Sequence, residues 1–278
     1  MTAIVPDVVH GSAPARRHAT GRVTTGRVVS SELVKLRSAR SMISAMTTAA
    51  LLVVGFGAFG AVGIVVQNPA LTGADGPAAD PLGGSLTGVN PAAFAVATLG
   101  VIAVTSEYAT GTIKPTLAAV PRRTQLVIGK ALALAAVTLT VMLAAVLTAF
   151  LVAQAILSST DMSLSLTAPP VPRILSGASL YLTGITLLAA GFGWLLRSTA
   201  GALAALFGVL SVLPVIGLFL PQHIGAAVLP YLPNNAGAAV MQLTPGGQLD
   251  PWTGLAVFSG YVLLTLAGAT VTLRRRDA

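Results

Sequence analysis

A glycine pattern that binds dinucleotides in other proteins occurs at residues 55–60. Gly55, Gly57 and Gly60 have the spacing G-x-G-x-x-G, and Asp75 follows 20 residues after Gly55, where a ribose-binding acid would stand. Such a site needs a strand before the glycines and a parallel sheet around them. These glycines instead lie within the uncharged run from Met42 to Val66. The sequence therefore favours small residues that let two helices approach closely.

Other catalytic patterns are incomplete. The phosphate-binding pattern G-x-x-x-x-G-K-[ST] does not occur, so the chain itself is not expected to hold ATP. Gly177-Ala178-Ser179 resembles the start of an intramembrane serine protease motif, but Leu180 stands where such enzymes have a glycine. Cysteine is absent, and the three histidines, His10, His18 and His223, are dispersed along the chain. We therefore predict no catalytic, cofactor-binding or metal-binding residue.

The segment from Thr105 to Lys114, continued by residues 121–124, is the most informative polar stretch. An acid, Glu107, stands at the end of an apolar run, and Gly111 interrupts the chain before a second stretch with basic residues. Two interpretations are open. Glu107 could pair with a nearby lysine or arginine in an ordinary loop. Alternatively, the segment forms a short helix presented to a cytoplasmic partner, because a rigid coupling element must leave the bilayer, turn and return.

The composition places these residues in a membrane protein. Of 278 residues, 54% are apolar and 9% are charged, whereas a soluble domain is about 25% charged. Helices of about 20 apolar residues cross a bilayer. We therefore predict an all-α polytopic membrane protein with six transmembrane helices, at residues 42–66, 91–109, 128–157, 174–196, 198–220 and 251–273. A loop is expected at residues 67–90, and Asn90-Pro91 is typical of a helix start.

The positive charges define the orientation of these spans. With six crossings, 15 of the 16 lysines and arginines fall on one side, and only Arg173 lies opposite. The positive-inside rule makes that side cytoplasmic, with both termini in the cytoplasm. The net charge of +8 is thus explained without a nucleic-acid partner. A seventh span at Ile224 to Leu243 would send the C-terminal arginines outside, so this proline-broken stretch is predicted to be a re-entrant or interfacial outer segment.

The residues before the first span divide into two parts. Residues 1–26 have no helical period and are expected to form a disordered cytoplasmic tail, whereas residues 27–278 form the transmembrane domain. Between Gly26 and Ser41, Val29, Leu33 and Leu36 follow the spacing of one helix face. We expect an amphipathic helix on the inner leaflet of the lipid, with its charged residues on other faces: Glu32, Lys35, Arg37 and Arg40.

The predicted spans carry no charged residue or histidine near their centres. Ion-coupled carriers usually hold such a group at the middle of the membrane. Energy for any transport is therefore expected from a source outside these spans.

Five motifs in order resemble the type-2 ABC transporter permeases, especially the transmembrane subunits of two-component exporters of actinobacteria. The resemblance spans about residues 27 to 278. The motifs are Ser31-Glu32-Leu33-x-Lys35-Leu36-Arg37-Ser38; Glu107-Tyr108-x-x-Gly111-Thr112-Ile113 with Ala119-Val120-Pro121-Arg122-Arg123; Leu196-Arg197-Ser198-Thr199-Ala200-Gly201; Tyr231-Leu232-Pro233-Asn234-Asn235-Ala236-Gly237; and Arg274-Arg275-Arg276-Asp277.

The resemblance implies a permease that pairs with an identical or sister permease and docks two ABC ATP-binding subunits. ATP and Mg²⁺ would be bound by those subunits, with no cofactor in this chain. The family's coupling helix would correspond to Glu107, Tyr108, Gly111, Thr112 and Ile113, with Arg122 and Arg123. The amphipathic helix, with Glu32, Lys35, Leu36 and Arg37, would flank it.

In the family, substrate passes between the second and fifth spans of the two permeases. Those spans are apolar here, which favours an amphipathic or lipid-like cargo, as in multidrug or lipid efflux. Two alternatives from other classes stay open: a membrane scaffold or assembly factor that does not transport, and a secondary carrier.

Overall fold

The computed structural model of the chain describes residues 24–67, 80–120, 122–160, 162–242 and 249–276. Every regular element within these ranges is helical, which confirms the all-α prediction. Of the predicted tail, residues 1–23 lie outside the described residues, as do Asp75, Pro121, Leu243 and Asp277.

Within the described residues, six helices are long and apolar enough to cross a membrane, as predicted. We call them span 1 to span 6, in chain order. They are Arg40–Val66, Val89–Ala109, Arg123–Leu157, Val171–Leu196, Thr199–Gly217 and Pro251–Arg276. Span 3 begins five residues earlier than predicted, and its 35 residues make a helix about 52 Å long. It therefore exceeds the ~30 Å hydrocarbon layer at one or both ends.

Span 4 forms the centre of the bundle. In span 4, 67% of the most apolar 18-residue stretch is buried, against 22% of the corresponding stretches in span 1 and span 6. Spans 2, 3 and 6 pack around it, and span 1 packs on spans 2 and 3. The large side chains of Tyr181 and Trp194 in span 4 are each 1% exposed. Span 4 therefore has protein around most of its surface, whereas spans 1, 5 and 6 offer most of theirs to lipid or to other subunits.

The glycine pattern at residues 55–60 is a helix-packing site. A Cβ atom on Gly57 would lie 2.6 Å from the carbonyl oxygen of Ser85, and one on Gly60 would lie 2.3 Å from that of Gly84. Gly55 has no such neighbour within 4 Å. Two of the three glycines thus let a short helix, Pro81–Ser85, lie directly on span 1.

The prediction of a loop at residues 67–90 is wrong for the second half of that range. Asp80 caps the helix Pro81–Ser85, because its carboxylate accepts hydrogen bonds from the backbone N–H groups of Leu82 and Gly83, at 3.2 and 2.9 Å. Span 2 then begins at Val89, with Gly88 at the cap position instead of Asn90.

Span 5 is shorter than predicted, ending at Gly217 instead of residue 220, and it contains a π-helical segment at Gly208–Val212. Pro214 follows this segment after one residue, Leu213. Because proline has no N–H and its ring displaces the carbonyl one turn earlier, a wider turn before it relieves the clash.

The outer segment is not a single helix of span length: within the described residues it consists of four short helices, Gln222–Val228, Leu229–Tyr231, Pro233–Ala238 and Ala239–Met241. It is tied to span 4, since the Tyr181 hydroxyl lies 2.6 Å from Asn234 Oδ1, and Arg173 donates to the carbonyls of Val240 and Gln242 at 3.1 and 3.0 Å. Arg173, the one cation predicted on this side, is thus used to hold the outer segment.

The N-terminal helix, Thr25–Ser38, forms where the amphipathic pattern predicted it and includes the last residues assigned to the tail. Its buried face differs from the prediction. Val28, Glu32 and Leu36 are buried, whereas Val29 and Leu33 are half-buried. The expectation that Glu32 lies on a solvent-facing side is therefore wrong, and the reason is an ionic contact with span 3.

Candidate functional site

Four charged side chains from three elements meet at one end of the bundle. Glu32 and Lys35 come from the N-terminal helix, Glu107 from the end of span 2, and Lys130 from the beginning of span 3. We call these four residues the charge network. Lys130 Nζ lies 2.7 Å from Glu32 Oε2 and 2.8 Å from Glu107 Oε1. Lys35 Nζ lies 2.6 Å from Glu32 Oε1 and 2.9 Å from Glu107 Oε1.

Three of the four members are buried. Glu32 is 2% exposed, Lys130 3% and Glu107 8%, whereas the Lys35 side chain is 47% exposed. Burying an unpaired charge is very costly, so such groups occur with partners that satisfy all their hydrogen bonds. Lys130 uses its third ammonium hydrogen on the carbonyl oxygen of Ala103, at 3.1 Å. Two carboxylates and two ammonium groups give the charge network a net charge of zero.

Local helix geometry brings these groups together. Ala103 and Glu107 are four residues apart and so lie on one face of span 2, where a single ammonium group reaches both. Glu32 follows Val28 by the same spacing, and Val28 packs against Gly129, next to Lys130. The close approach of the N-terminal helix to Gly129 is what brings Glu32 within reach of Lys130.

Burial and partner charges act in opposite directions on the two network residues of the N-terminal helix. Burial alone would raise the pKa of Glu32, but Lys130 and Lys35 outweigh it and hold that pKa below its ordinary value. Burial alone would lower the pKa of Lys35, but hydrogen bonds and attraction from Glu32 and Glu107 hold it above its ordinary value. Both residues are therefore charged at neutral pH.

The residues predicted to couple to an ATPase have different surroundings. Glu107 lies within the charge network, which agrees with the first interpretation, an acid paired with a basic residue. The guanidinium of Arg197 lies over the ring of Tyr108, 5.1 Å from the ring centroid. Ile113 is buried with Val28 and Val120. None of these three side chains projects freely from the molecule.

The exposed part of the loop lies between them. Thr110, Gly111 and Thr112 are exposed, and so are Lys114 and Pro115. Gly111 has φ of +71°, a backbone conformation that side chains disfavour, which explains the glycine at this turn. A seven-residue helix, Ile113–Ala119, follows. We call residues 110–119 the exposed loop. Its short helix begins at Ile113, where the predicted coupling helix would end, whereas Glu107 and Tyr108 belong to the end of span 2.

Arg122 and Arg123 do not join the charge network. Arg123 donates to the carbonyl oxygens of Leu273 and Arg274 at the end of span 6, and Arg274 donates to the Thr124 hydroxyl at 2.8 Å. A cation at the C-terminal end of a helix satisfies its free carbonyls. Arg122 is exposed beside them. Of the remaining predicted residues, Leu36 is buried and Arg37 is exposed.

Sequence reasoning missed the contacts that Lys130 and Arg197 make. A usable signal existed for the first of them. Glu32 stands four residues from both Val28 and Leu36, so an acid lies in the apolar stripe of the N-terminal helix and requires a buried cation.

One comparison with known proteins identifies a related family. A family model described as ABC-2 family transporter protein matches residues 28–213, which include the charge network, the exposed loop, spans 1 to 4 and most of span 5. The outer segment and span 6 lie beyond the match, so the resemblance noted there rests on the motifs alone. The search of curated proteins finds no significant match. With a match over more than half of the chain and six membrane-spanning helices around it, the chain belongs to the ABC-2 transporter family and is a multi-pass membrane permease subunit of an ABC transporter.

Proposed function

We propose that this chain is the permease of an ATP-driven exporter, in which the exposed loop receives the movement of an ABC ATP-binding subunit and the charge network passes it to the spans. The observation that carries the proposal is the charge network itself. It joins the N-terminal helix, span 2 and span 3 directly beside the exposed loop.

The mechanical argument follows from how the loop is attached. The exposed loop connects the end of span 2 to the beginning of span 3, and both ends are held together by Glu107 and Lys130. A push on the loop therefore displaces the two spans as a unit. The N-terminal helix moves with them, because Glu32 and Lys35 bind the same two partners.

The surface formed by spans 2 and 5 supports a translocation path. Phe94 of span 2 and Phe207 of span 5 are 48% and 52% exposed, and their ring centroids lie 6.1 Å apart. At the other end of the contact between spans 2 and 5, the Thr105 and Thr199 hydroxyls lie 2.8 Å apart. Spans 2 and 5 thus share an apolar surface that the chain itself leaves open. Such a surface suits an amphipathic or lipid-like cargo that moves between this chain and a second permease, identical or sister.

The complete transporter in this proposal contains two permeases and two ATP-binding subunits, which bind ATP and Mg²⁺. This chain contributes no catalytic residue and holds no cofactor. It lies in the bacterial plasma membrane, with the exposed loop, the charge network and both termini in the cytoplasm.

A charge reversal on the exposed loop tests the coupling role. We expect Lys114→Glu, reconstituted in liposomes with its ATP-binding subunit, to lose cargo-stimulated ATP hydrolysis, because Lys114 is exposed on the loop and its reversal alters the docking surface. Lys114→Arg should retain it. Ser159→Glu adds an acid at the opposite end of span 3 and should also retain it. Stimulation that survives Lys114→Glu, or is lost equally in Ser159→Glu, would remove the loop from the coupling path.

The same preparation separates the two alternatives. A scaffold would bind the ATP-binding subunit without cargo changing its hydrolysis rate. A secondary carrier would move cargo in liposomes that lack that subunit. Cargo movement that requires both proteins and ATP supports the proposal alone.

A further inference from the structure

We infer that a groove on the side of the bundle binds an anionic phospholipid, with the headgroup phosphate on Arg37 and an acyl chain along span 1. This site is separate from the proposed path between spans 2 and 5, and it depends only on the chain lying in a membrane. The groove is formed by the N-terminal helix, span 1 and span 3. Its volume of about 610 Å³ is within the range of roughly 300–1,000 Å³ typical of small-molecule sites.

The walls of the groove suit a hydrocarbon chain. They are mostly aliphatic, and the flexible side chains of Met42 and Met46 adapt to irregular apolar ligands. The side chains that define the groove are Leu33, Met42, Met46, Leu99, Val137 and Val141. From Met42 to Ala50, which both line it, span 1 advances about 12 Å into the membrane.

The only charged side chain among the described residues that line the groove is Arg37. It is exposed, and it makes no hydrogen bond or ion pair with any other residue in the part of the chain that the structure describes. The nearby carboxylates of Glu32 and Glu107 are already neutralised by Lys35 and Lys130. Arg37 therefore carries an uncompensated positive charge at the entrance to an apolar groove.

The position of this charge matches the shape of a phospholipid. Arg37 lies one residue before the end of the N-terminal helix, and span 1 begins at Arg40. The guanidinium lies at the boundary of the membrane, and the apolar groove runs inward from it. The two therefore match the order of headgroup phosphate and acyl chain in a phospholipid. Arginine binds phosphate oxygens in a bidentate fashion. A net anionic headgroup is favoured over a zwitterionic one, because the cationic group of the zwitterion is repelled by the guanidinium and offsets the attraction of its phosphate.

Two other occupants fit the charges less well. The described acidic residues are either in the charge network or next to the opposite ends of spans 2 and 6, as Asp80 and Asp250 are, so a second copy has none of these to present to Arg37. Residues 1–23 contain three arginines and one acidic residue, which gives this segment the same sign of charge as Arg37.

Native mass spectrometry of the full-length chain tests the inference. Phosphatidylglycerol and phosphatidylcholine with the same acyl chains are titrated onto the detergent-purified protein. We expect phosphatidylglycerol to bind about five-fold more tightly, as one arginine near an anionic headgroup provides. Arg37→Gln should reduce its affinity to that of phosphatidylcholine, and Arg37→Lys should keep most of the preference. Arg27→Gln is the matched control, since it removes the same charge near the other end of the same helix and should change nothing.

A second measurement identifies what occupies the groove. Thr47 lines it and is exposed, so a photoreactive residue at this position should capture phosphatidylglycerol in native membranes. Equal affinity of the two lipids for the unmodified chain, or a preference that survives Arg37→Gln or falls equally in Arg27→Gln, would overturn the inference. Capture of a second copy, or of residues 1–23, in place of lipid would overturn it as well.

Discussion

At the residue scale, the charge network depends most on Lys130. It is the member that binds both acids from a fully buried position, and its three donors are all used. Removing it leaves Glu32 and Glu107 buried with only the half-exposed Lys35 as a partner. The distribution of burial among the four residues therefore predicts unequal effects of substitution.

We expect Lys130→Met to lower the free energy of unfolding by about 3–5 kcal/mol, the usual effect of leaving a buried charge unpaired. Lys35→Met should cost under about 1 kcal/mol, because a half-exposed ion pair is screened by solvent. Thermal unfolding of the purified chain in detergent measures both. If the double variant Lys130→Met with Glu107→Gln is no more stable than Lys130→Met alone, the penalty does not arise from an uncompensated charge.

The pH dependence of N-terminal helix docking follows from the two shifted pKa values. The pKa of Glu32 lies below its ordinary value of 4.5, so its contribution is present above pH 4.5 and is lost as the pH falls through the lowered pKa. The pKa of Lys35 lies above its ordinary value of 10.5, so its contribution is present below pH 10.5 and is lost as the pH rises through the raised pKa. Docking should thus be constant from about pH 5 to 10. Limited proteolysis within residues 25–38 checks this, and release of the helix near pH 6 would contradict it.

At the scale of elements, spans were predictable and their attachments were not. Hydrophobic length identifies the six spans, because a bilayer imposes the same requirement on each, and the distribution of lysine and arginine excludes a seventh at residues 224–243. The helix Pro81–Ser85 carries no such signal, since its five residues are stabilised by the Asp80 cap and by contact with Gly57 and Gly60. The burial of Glu32 likewise depends on Lys130, almost a hundred positions away in the sequence, which a local pattern cannot reveal.

The contact between span 1 and the helix Pro81–Ser85 gives an element-scale prediction. Gly60→Ala should destabilise the chain by about 1–3 kcal/mol, as overpacking does, because its Cβ would lie 2.3 Å from the Gly84 carbonyl oxygen. Gly55→Ala is the control within the same motif, since nothing lies within 4 Å of its Cβ position. It should be neutral or stabilising by up to about 1 kcal/mol, because alanine favours a helix over glycine. Equal unfolding temperatures for the two variants would contradict this packing.

At the scale of the whole molecule, the contacts arrange the ends of the spans in two groups. One group contains the charge network, the Tyr108–Arg197 contact and the Arg123 contact with the end of span 6. The other contains the contacts of the outer segment with Arg173 and Tyr181. The asymmetry in charge that the sequence displays is therefore also an asymmetry of the folded bundle. Which group faces the cytoplasm rests on the positive-inside rule.

A labelling experiment tests that orientation. Because the chain has no cysteine, Thr110→Cys and Ser159→Cys each introduce a single thiol, at opposite ends of the bundle. In intact cells, a membrane-impermeant maleimide should label Ser159→Cys and leave Thr110→Cys unmodified until the cells are broken. Both positions are exposed in the folded chain, so burial does not account for protection. Labelling of Thr110→Cys in intact cells would reverse the predicted orientation.

The electrical neutrality of Glu32, Lys35, Glu107 and Lys130 has a consequence for how the permease responds to an energised membrane. A transmembrane voltage acts on a moving element in proportion to the net charge that it carries through the field. Two positive and two negative groups that travel together experience opposite forces that cancel. Movement of these four groups should thus contribute little to any voltage dependence of the permease.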